Sequence, residues 1–156
     1  MTKTVDYYVG YFDGMCEPCN PKGNMGIGAF ILNKDREQIF TLSKYIKAPE
    51  LDYKTSNNVA EYMGVISIME FLSGKDLLKE HIIICGDSKL VICQMNGEWK
   101  CNGGIYEPYY HAAREIRNTF ADIEFKWIPR TQNEKCDQLS KRAAIAGGCI
   151  FKIQPL

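Results

Sequence analysis

The sequence predicts an α/β fold: a mixed five-stranded sheet with helices on its faces and elements in the order βββαβααβα. Three observations carry this reading. Three β-rich runs open the chain, a long stretch with helical spacing follows, and a short isoleucine-rich run after it has the character of a buried parallel strand.

Residues 5–12 (VDYYVGYF) are aromatic and β-branched, which suits a pleated, half-buried strand. The next stretch, MCEPCNPKGN, breaks that strand with Pro18, Pro21 and Gly23. Residues 25–33 (MGIGAFILN) and 37–47 (EQIFTLSKYIK) are two further strands joined by the polar turn Lys34–Arg36, giving an antiparallel meander. In SNNVAEYMGVISIMEFLSG, Val59, Tyr62, Met63, Ile66, Met69 and Phe71 recur at helical spacing. They predict a helix over 58–73 with Asn57 or Asn58 as N-cap and Gly74 as the stop.

Residues 81–86 (HIIICG) are the buried strand, and Asp87-Ser88 supplies a cap for a helix over about 88–95. The glycine-containing loop NGEWKCNGG leads to a helix over about 106–120. A strand over 122–128 (DIEFKWI) ends at Pro129, and a last helix covers about 133–146. The length fits one domain, with its core over about 5–146 and a C-terminal tail over 147–156.

With 46% hydrophobic and 24% charged residues the composition is that of a globular protein, and no window approaches the ~18 consecutive apolar residues of a membrane span. The opening MTKTVDYYVG lacks the basic-then-apolar order of a secretory signal, so a cytoplasmic protein is expected. Seven cysteines, odd in number and scattered, read as reduced thiols. Nineteen basic residues balance nineteen acidic ones, which excludes bulk attraction to a polyanion; nucleic-acid binding would need a local site.

Four acids fall where the chain changes structural type, the places from which a scaffold projects polar groups. Asp13 ends the first strand, Glu61 lies in the first turn of the long helix, Asp87 ends the buried strand, and Asp137 lies near the start of the last helix. Right-handed crossover makes strands 1 and 4 parallel neighbours and brings Asp13 and Asp87 together at the carboxyl edge of the sheet. Taken singly, each acid has a plain explanation as a cap, a turn former or a favourable charge at a helix N-terminus. Their joint placement does not. Clustered carboxylates need compensating cations, and an oxygen-only donor set favours Mg²⁺ or Mn²⁺ over zinc.

YFDGMCEPCNPKGNMGIGAFIL resembles the first hairpin of type 1 ribonuclease H, TSNNVAEYMGVISIMEFL its Thr-Asn-Asn-x-x-Glu helix, and IIICGDSKLVICQMNGEWK its apolar strand ending in Asp-Ser. WIPRTQNEKCDQLSKRAA resembles its final Asn-x-x-x-Asp helix. The likeness covers about residues 5–145. It implies a ribonuclease-H-like fold and a metal-dependent endonuclease that hydrolyses the RNA strand of RNA–DNA hybrids, leaving 5′-phosphate and 3′-hydroxyl ends. By motif, Asp13, Glu61, Asp87 and Asp137 are the catalytic, metal-binding acids. The implied cofactor is a pair of Mg²⁺ ions roughly 4 Å apart, with Mn²⁺ as a substitute. Asp13 would bridge both ions, Asp137 would complete the nucleophile-side site, and Glu61 and Asp87 would serve the leaving-group side.

The same resemblance assigns Asn20, Asn57 and Asn58 to reading the 2′-hydroxyl in the minor groove, a task for which an amide can both donate and accept. It assigns Lys54 and Ser56 to a pocket gripping a phosphate of the DNA strand. The expected partner is therefore an RNA–DNA hybrid and not a membrane, with the protein acting as a monomer. Two departures qualify the match. The segment 96–105 is short and holds one lysine where the better-known bacterial members carry a basic protrusion, which predicts weaker, more salt-sensitive binding. The family's histidine loop before the last acid is replaced by PRTQN, making Arg130 the candidate substitute beside the scissile phosphate.

Two other motifs compete. Cys16-x-x-Cys19 has no second pair of zinc ligands and runs into a turn instead of a helix. The glycines of KGNMGIG enter a strand, whereas a Walker loop enters a helix. A binding module of the same fold without catalysis is the alternative to an enzyme, but it would gain nothing from uncompensated carboxylates facing phosphates.

Overall fold

The computed structural model describes residues 4–149. Its strands are β1 (Tyr8–Glu17), β2 (Asn24–Leu32), β3 (Gln38–Ile46), β4 (His81–Gly86) and β5 (Asp122–Trp127). Its helices are α1 (Asn57–Gly74), α2 (Lys89–Met95), α3 (Glu107–Arg117) and α4 (Glu134–Ala146), with short 3₁₀ turns at Ala48–Leu51 and Arg130–Gln132. The predicted element order holds. The tail expected after residue 146 lies, from 150 onward, outside the described residues.

The sheet runs β3-β2-β1-β4-β5, antiparallel through the meander and parallel from β1 to β4 to β5. Phe12, Ile31, Tyr62, Ile68, Leu72 and Ile84 form the heart of the core where α1 covers one face. On the other face, Phe30 packs with Cys136 and Leu139 of α4. Fully buried Gln94 accepts from the Tyr62 hydroxyl at 2.6 Å and donates to the Lys100 carbonyl and the Tyr106 hydroxyl, which ties the glycine-containing loop to α1.

Several boundaries differ from the sequence reading, each for a tertiary reason. β1 does not stop at residue 12 but continues to Glu17, because β2 remains opposite it up to Glu17↔Asn24; the prolines break the chain only from residue 18. Asp13 is therefore inside a strand. The N-cap of α1 is Ser56, whose Oγ accepts from the Val59 amide at 3.0 Å, and not Asn57 or Asn58. Ser88 alone caps α2, which leaves the Asp87 carboxylate free of that task. α3 ends at Arg117, earlier than the predicted 120.

Two glycines bring the layers together. A methyl group on Gly14 would stand 2.6 Å from the Glu61 amide nitrogen and the Ala60 methyl, so α1 rests directly on β1. Gly28, the register partner of Asp13, lies beneath α4, where a methyl would meet the Cys136 carbonyl and stand 2.8 Å from the Ser140 amide. These neighbours are backbone atoms and a methyl fixed to the backbone, none of which can swing aside. Gly28→Ala is accordingly expected to destabilise the protein by ~1–3 kcal/mol. Gly74→Ala, at a site with nothing within 4 Å, should be neutral or slightly stabilising. Urea unfolding of the two variants checks the contrast.

Candidate active site

Parallel pairing between β1 and β4 ends at Tyr11↔Cys85. Beyond it β1 stays with β2, and Gly86 stays with Trp127 of β5, so the two central strands part company just before Asp13 and Asp87. A gap at the carboxyl ends of parallel strands is where open α/β sheets place ligands. α1 delivers Glu61 to the same point through its contact with Gly14.

One carboxylate oxygen from each of Asp13, Glu61 and Asp87 lies within 4.8 Å of the others. Asp13 is 6% exposed and Glu61 3%, while Asp87 is half-buried. Burial, reinforced by the charges of Asp87 and Asp137, pushes the Asp13 carboxyl up to about 7. Burial and the neighbouring Asp13 and Asp87 hold Glu61 well above the ordinary carboxylate range. Asp87 is also raised by burial, with Arg130 pulling against the shift. Glu61 Oε2 is buried without a hydrogen-bond partner. A buried, unsatisfied oxygen beside two further carboxylates is a donor set that fits a hard divalent cation.

Asp137 stands outside this trio. Lys141 donates to it at 3.0 Å and Arg130 at 3.4 Å, although its charge is still felt by Asp13 and Asp87. Arg130 is thus placed beside the acids, its side chain 72% exposed.

The sequence reading did not single out Asn133. It occupies the N-cap position of α4 but does not cap it; the side chain turns inward, 2% exposed, and donates to the Phe12 carbonyl at 2.8 Å. A hydrogen bond from the same side chain also holds down the Asp87 carboxyl. Asn133 therefore joins the strand carrying Asp13 to the helix carrying Asp137. The Asn-x-x-x-Asp motif was the signal for it.

The proposed substrate-reading residues gather at the other margin. Asn20 Oδ1 accepts from the Asn57 amide at 2.9 Å, the Thr55 hydroxyl donates to the Gly23 carbonyl at 2.6 Å, and the Lys22 amide donates to the Thr55 carbonyl. These bonds fasten the β1–β2 turn to the start of α1, with exposed Lys54 and partly exposed Asn58 alongside. Ser56 is buried and its hydroxyl oxygen is engaged as the cap. Cys16 is buried and donates to the Cys19 carbonyl at 3.2 Å, and burial raises its thiol, the opposite of what a reactive thiolate requires. Among the described residues the acid trio is the only group of ligating side chains with metal-site spacing.

With that geometry in view, comparison with known proteins places the chain. A family model described as "Reverse transcriptase-like" matches residues 12–143, and the chain belongs to this family. The bifunctional protein Rv2228c of Mycobacterium tuberculosis is 32% identical over 124 residues, 80% of this chain but 32% of its own length, so the chain spans only part of that relative. Ribonuclease HI of Halobacterium salinarum is 33% identical over 90 residues, covering 58% of this chain and 44% of that one. The crystal structure of RNase H1 from the same archaeon superposes with a TM-score of 0.76 at 28% identity, covering 90% of this chain and 98% of its own. The structure of LC11-RNase H1 in complex with RNA/DNA hybrid gives 0.78 at 28% identity, with the same coverage of 90% and 98%. The resemblance to type 1 ribonuclease H read from the motifs is borne out.

The raised carboxyls carry a pH dependence. Asp13 and Glu61 bind protons more tightly in the folded than in the unfolded chain, so their contribution is fully present below the ordinary carboxylate range; that of Asp13 is lost as pH rises through about 7, and that of Glu61 is lost as pH climbs above the ordinary carboxylate range. In EDTA the urea midpoint should fall as pH is raised from about 5 to about 8. Mg²⁺ should restore stability at the upper pH, and Asp13→Asn should flatten the decline. Asn133→Ala, which leaves the Phe12 carbonyl unpaired in a buried place, should cost ~1–3 kcal/mol in the same assay.

Proposed function

We propose that this protein is a metal-dependent ribonuclease H that hydrolyses the RNA strand of RNA–DNA hybrids to 5′-phosphate and 3′-hydroxyl ends. The observation that carries the reading is the convergence of three carboxylates at the parting of β1 and β4, with an unpartnered Glu61 oxygen among them. The solved hybrid complex of LC11-RNase H1, a protein that matches this chain over 90% of its length, supports the choice of substrate.

Asp13, Glu61 and Asp87, with Asp137 beside them, are the residues that would hold the cofactor, two Mg²⁺ ions or Mn²⁺ in their place. Such ions supply Lewis acidity to the attacking water and to the leaving 3′-oxygen. Asp13 is the common member of the group: its proton affinity answers to Asp87 and Asp137, and that of Glu61 answers to Asp13. Lys141 and Arg130 hold Asp137 in place, and Arg130 offers its open guanidinium to a phosphate. Asn20, Asn57 and Asn58 present amide groups to the 2′-hydroxyl that distinguishes RNA from DNA, while Lys54, with Ser56 next to it, meets the DNA strand.

A catalytic role is favoured over a purely binding one because nucleic-acid phosphates would be repelled by these buried acids unless cations accompany them. We further propose that the protein works as a monomer in the cytoplasm. Among the described residues no helix is long and apolar enough to cross a membrane.

A gel assay with labelled RNA–DNA, RNA–RNA and DNA–DNA duplexes tests the proposal. Cleavage of the hybrid's RNA strand should vanish in EDTA and return with Mg²⁺ or Mn²⁺; full activity in EDTA would refute it. Asp13→Asn should lower the rate by several orders of magnitude, the scale of deleting a catalytic group, while hybrid binding largely survives.

A further inference from the structure

The carboxyl end of β5 carries an aromatic, and the start of α2 beside it a cation, that the acid site does not use. Trp127 is the last residue of β5 and pairs with Gly86, one residue before Asp87. Ile123 and Phe125, which precede it on the same side of the strand, are buried, yet Trp127 is 47% exposed. Its indole Nε1 donates to the Asp87 backbone carbonyl at 3.2 Å. Lys89 Nζ stands 5.8 Å from the ring centroid, within the range at which an indole holds a cation.

Tryptophan ordinarily hides most of its large apolar area. Here it stays half open at the rim of a cluster of carboxylates, with a cation drawn onto its ring. In the sheet order, β5 lies beyond β4 from the β1–β2 turn that bears Asn20. The acids are therefore flanked by amides and Lys54 on one margin and by Trp127, Lys89 and Arg130 on the other. A polyanion can lie across carboxylates only where cations on both sides offset the repulsion, and the chain's zero net charge leaves that work to local groups.

We infer that Trp127 and Lys89 form a second contact for the sugar-phosphate backbone of the hybrid, Lys89 taking a phosphate and the indole packing on the adjoining sugar. This rests on the nucleic-acid reading above. Because the bases of a hybrid are paired, the indole meets a sugar and not a base, unlike the base stacking that aromatics give to single strands. The substrate then spans the whole edge from the β1–β2 turn to β5.

The test is fluorescence-anisotropy titration of a labelled RNA–DNA hybrid over a range of salt concentrations, in an Asp13→Asn background so that no cleavage intervenes. Lys89→Ala is expected to reduce the slope of log affinity against log salt by about one. Trp127→Ala should weaken binding about ten-fold, and Trp127→Phe, which keeps a ring but loses the N–H, should weaken it less. Lys89 is exposed, so its variant remains informative even where loss of the indole disturbs folding. Unchanged affinity in Trp127→Ala with an unchanged salt slope in Lys89→Ala would overturn the inference alone. Equal losses in Trp127→Phe and Trp127→Ala would also overturn it, by assigning the indole to the Asp87 carbonyl. Failure of the Asp13→Asn parent to bind any hybrid would overturn both this inference and the hybrid reading.

Discussion

The close approach of two helices to the β1–β2 hairpin governs the candidate site. Gly14 lets the first turn of α1 sit on β1, and Gly28, paired with Asp13 across the hairpin, lets α4 sit on β2. Each contact delivers an acid. The atom over Gly14 is the Glu61 amide itself, and the carbonyl over Gly28 belongs to Cys136, the residue before Asp137. Side chains in place of these hydrogens would force the helices outward, and the carboxylates that ride on them would leave Asp13. Packing and chemistry are thus set by the same two positions.

Holding carboxylates this near one another works against folding, since burial and mutual repulsion both oppose their charged forms. The surroundings offset part of that cost. The Gly14 amide donates to Asp13, Asn133 donates to Asp87, and Arg130 lowers both. Asp137 forms ion pairs with both Lys141 and Arg130. Glu61 is the least relieved of the four, buried with one oxygen unpartnered. A site left incompletely neutralised by its own protein is one that gains stability from a cation, and this is the usual trade between stability and activity.

The strands and helices were legible in the sequence because hydrophobic spacing is a local property, and the four acids were legible because they recur in order within recognisable motifs, although Asp13 lies inside β1 and not at its end. What remained hidden depends on partners distant in sequence. Nothing in MCEP says that β2 will stay opposite it and keep the strand going to Glu17. Ser56, Asn57 and Asn58 are all good caps on paper, and Ser56 takes the role while the Asn57 backbone amide donates to Asn20. Asn133 stands at the N-cap position of α4, and only the presence of the Phe12 carbonyl below it explains why its side chain turns away from its own helix. Trp127 alternates with Ile123 and Phe125 like another core residue, and its exposure follows from where β5 ends.

The hairpin of β1 and β2 runs on past the last pair that β1 shares with β4. Mechanically it is a beam clamped in the sheet at one end and propped at its tip, where Thr55 and Asn57 meet Gly23 and Asn20. A beam supported at both ends transmits load to its props. Force applied at Asn20 passes into the first turn of α1, which leads directly into Glu61. The loop that would touch a substrate and the helix that supplies an acid therefore move as one piece.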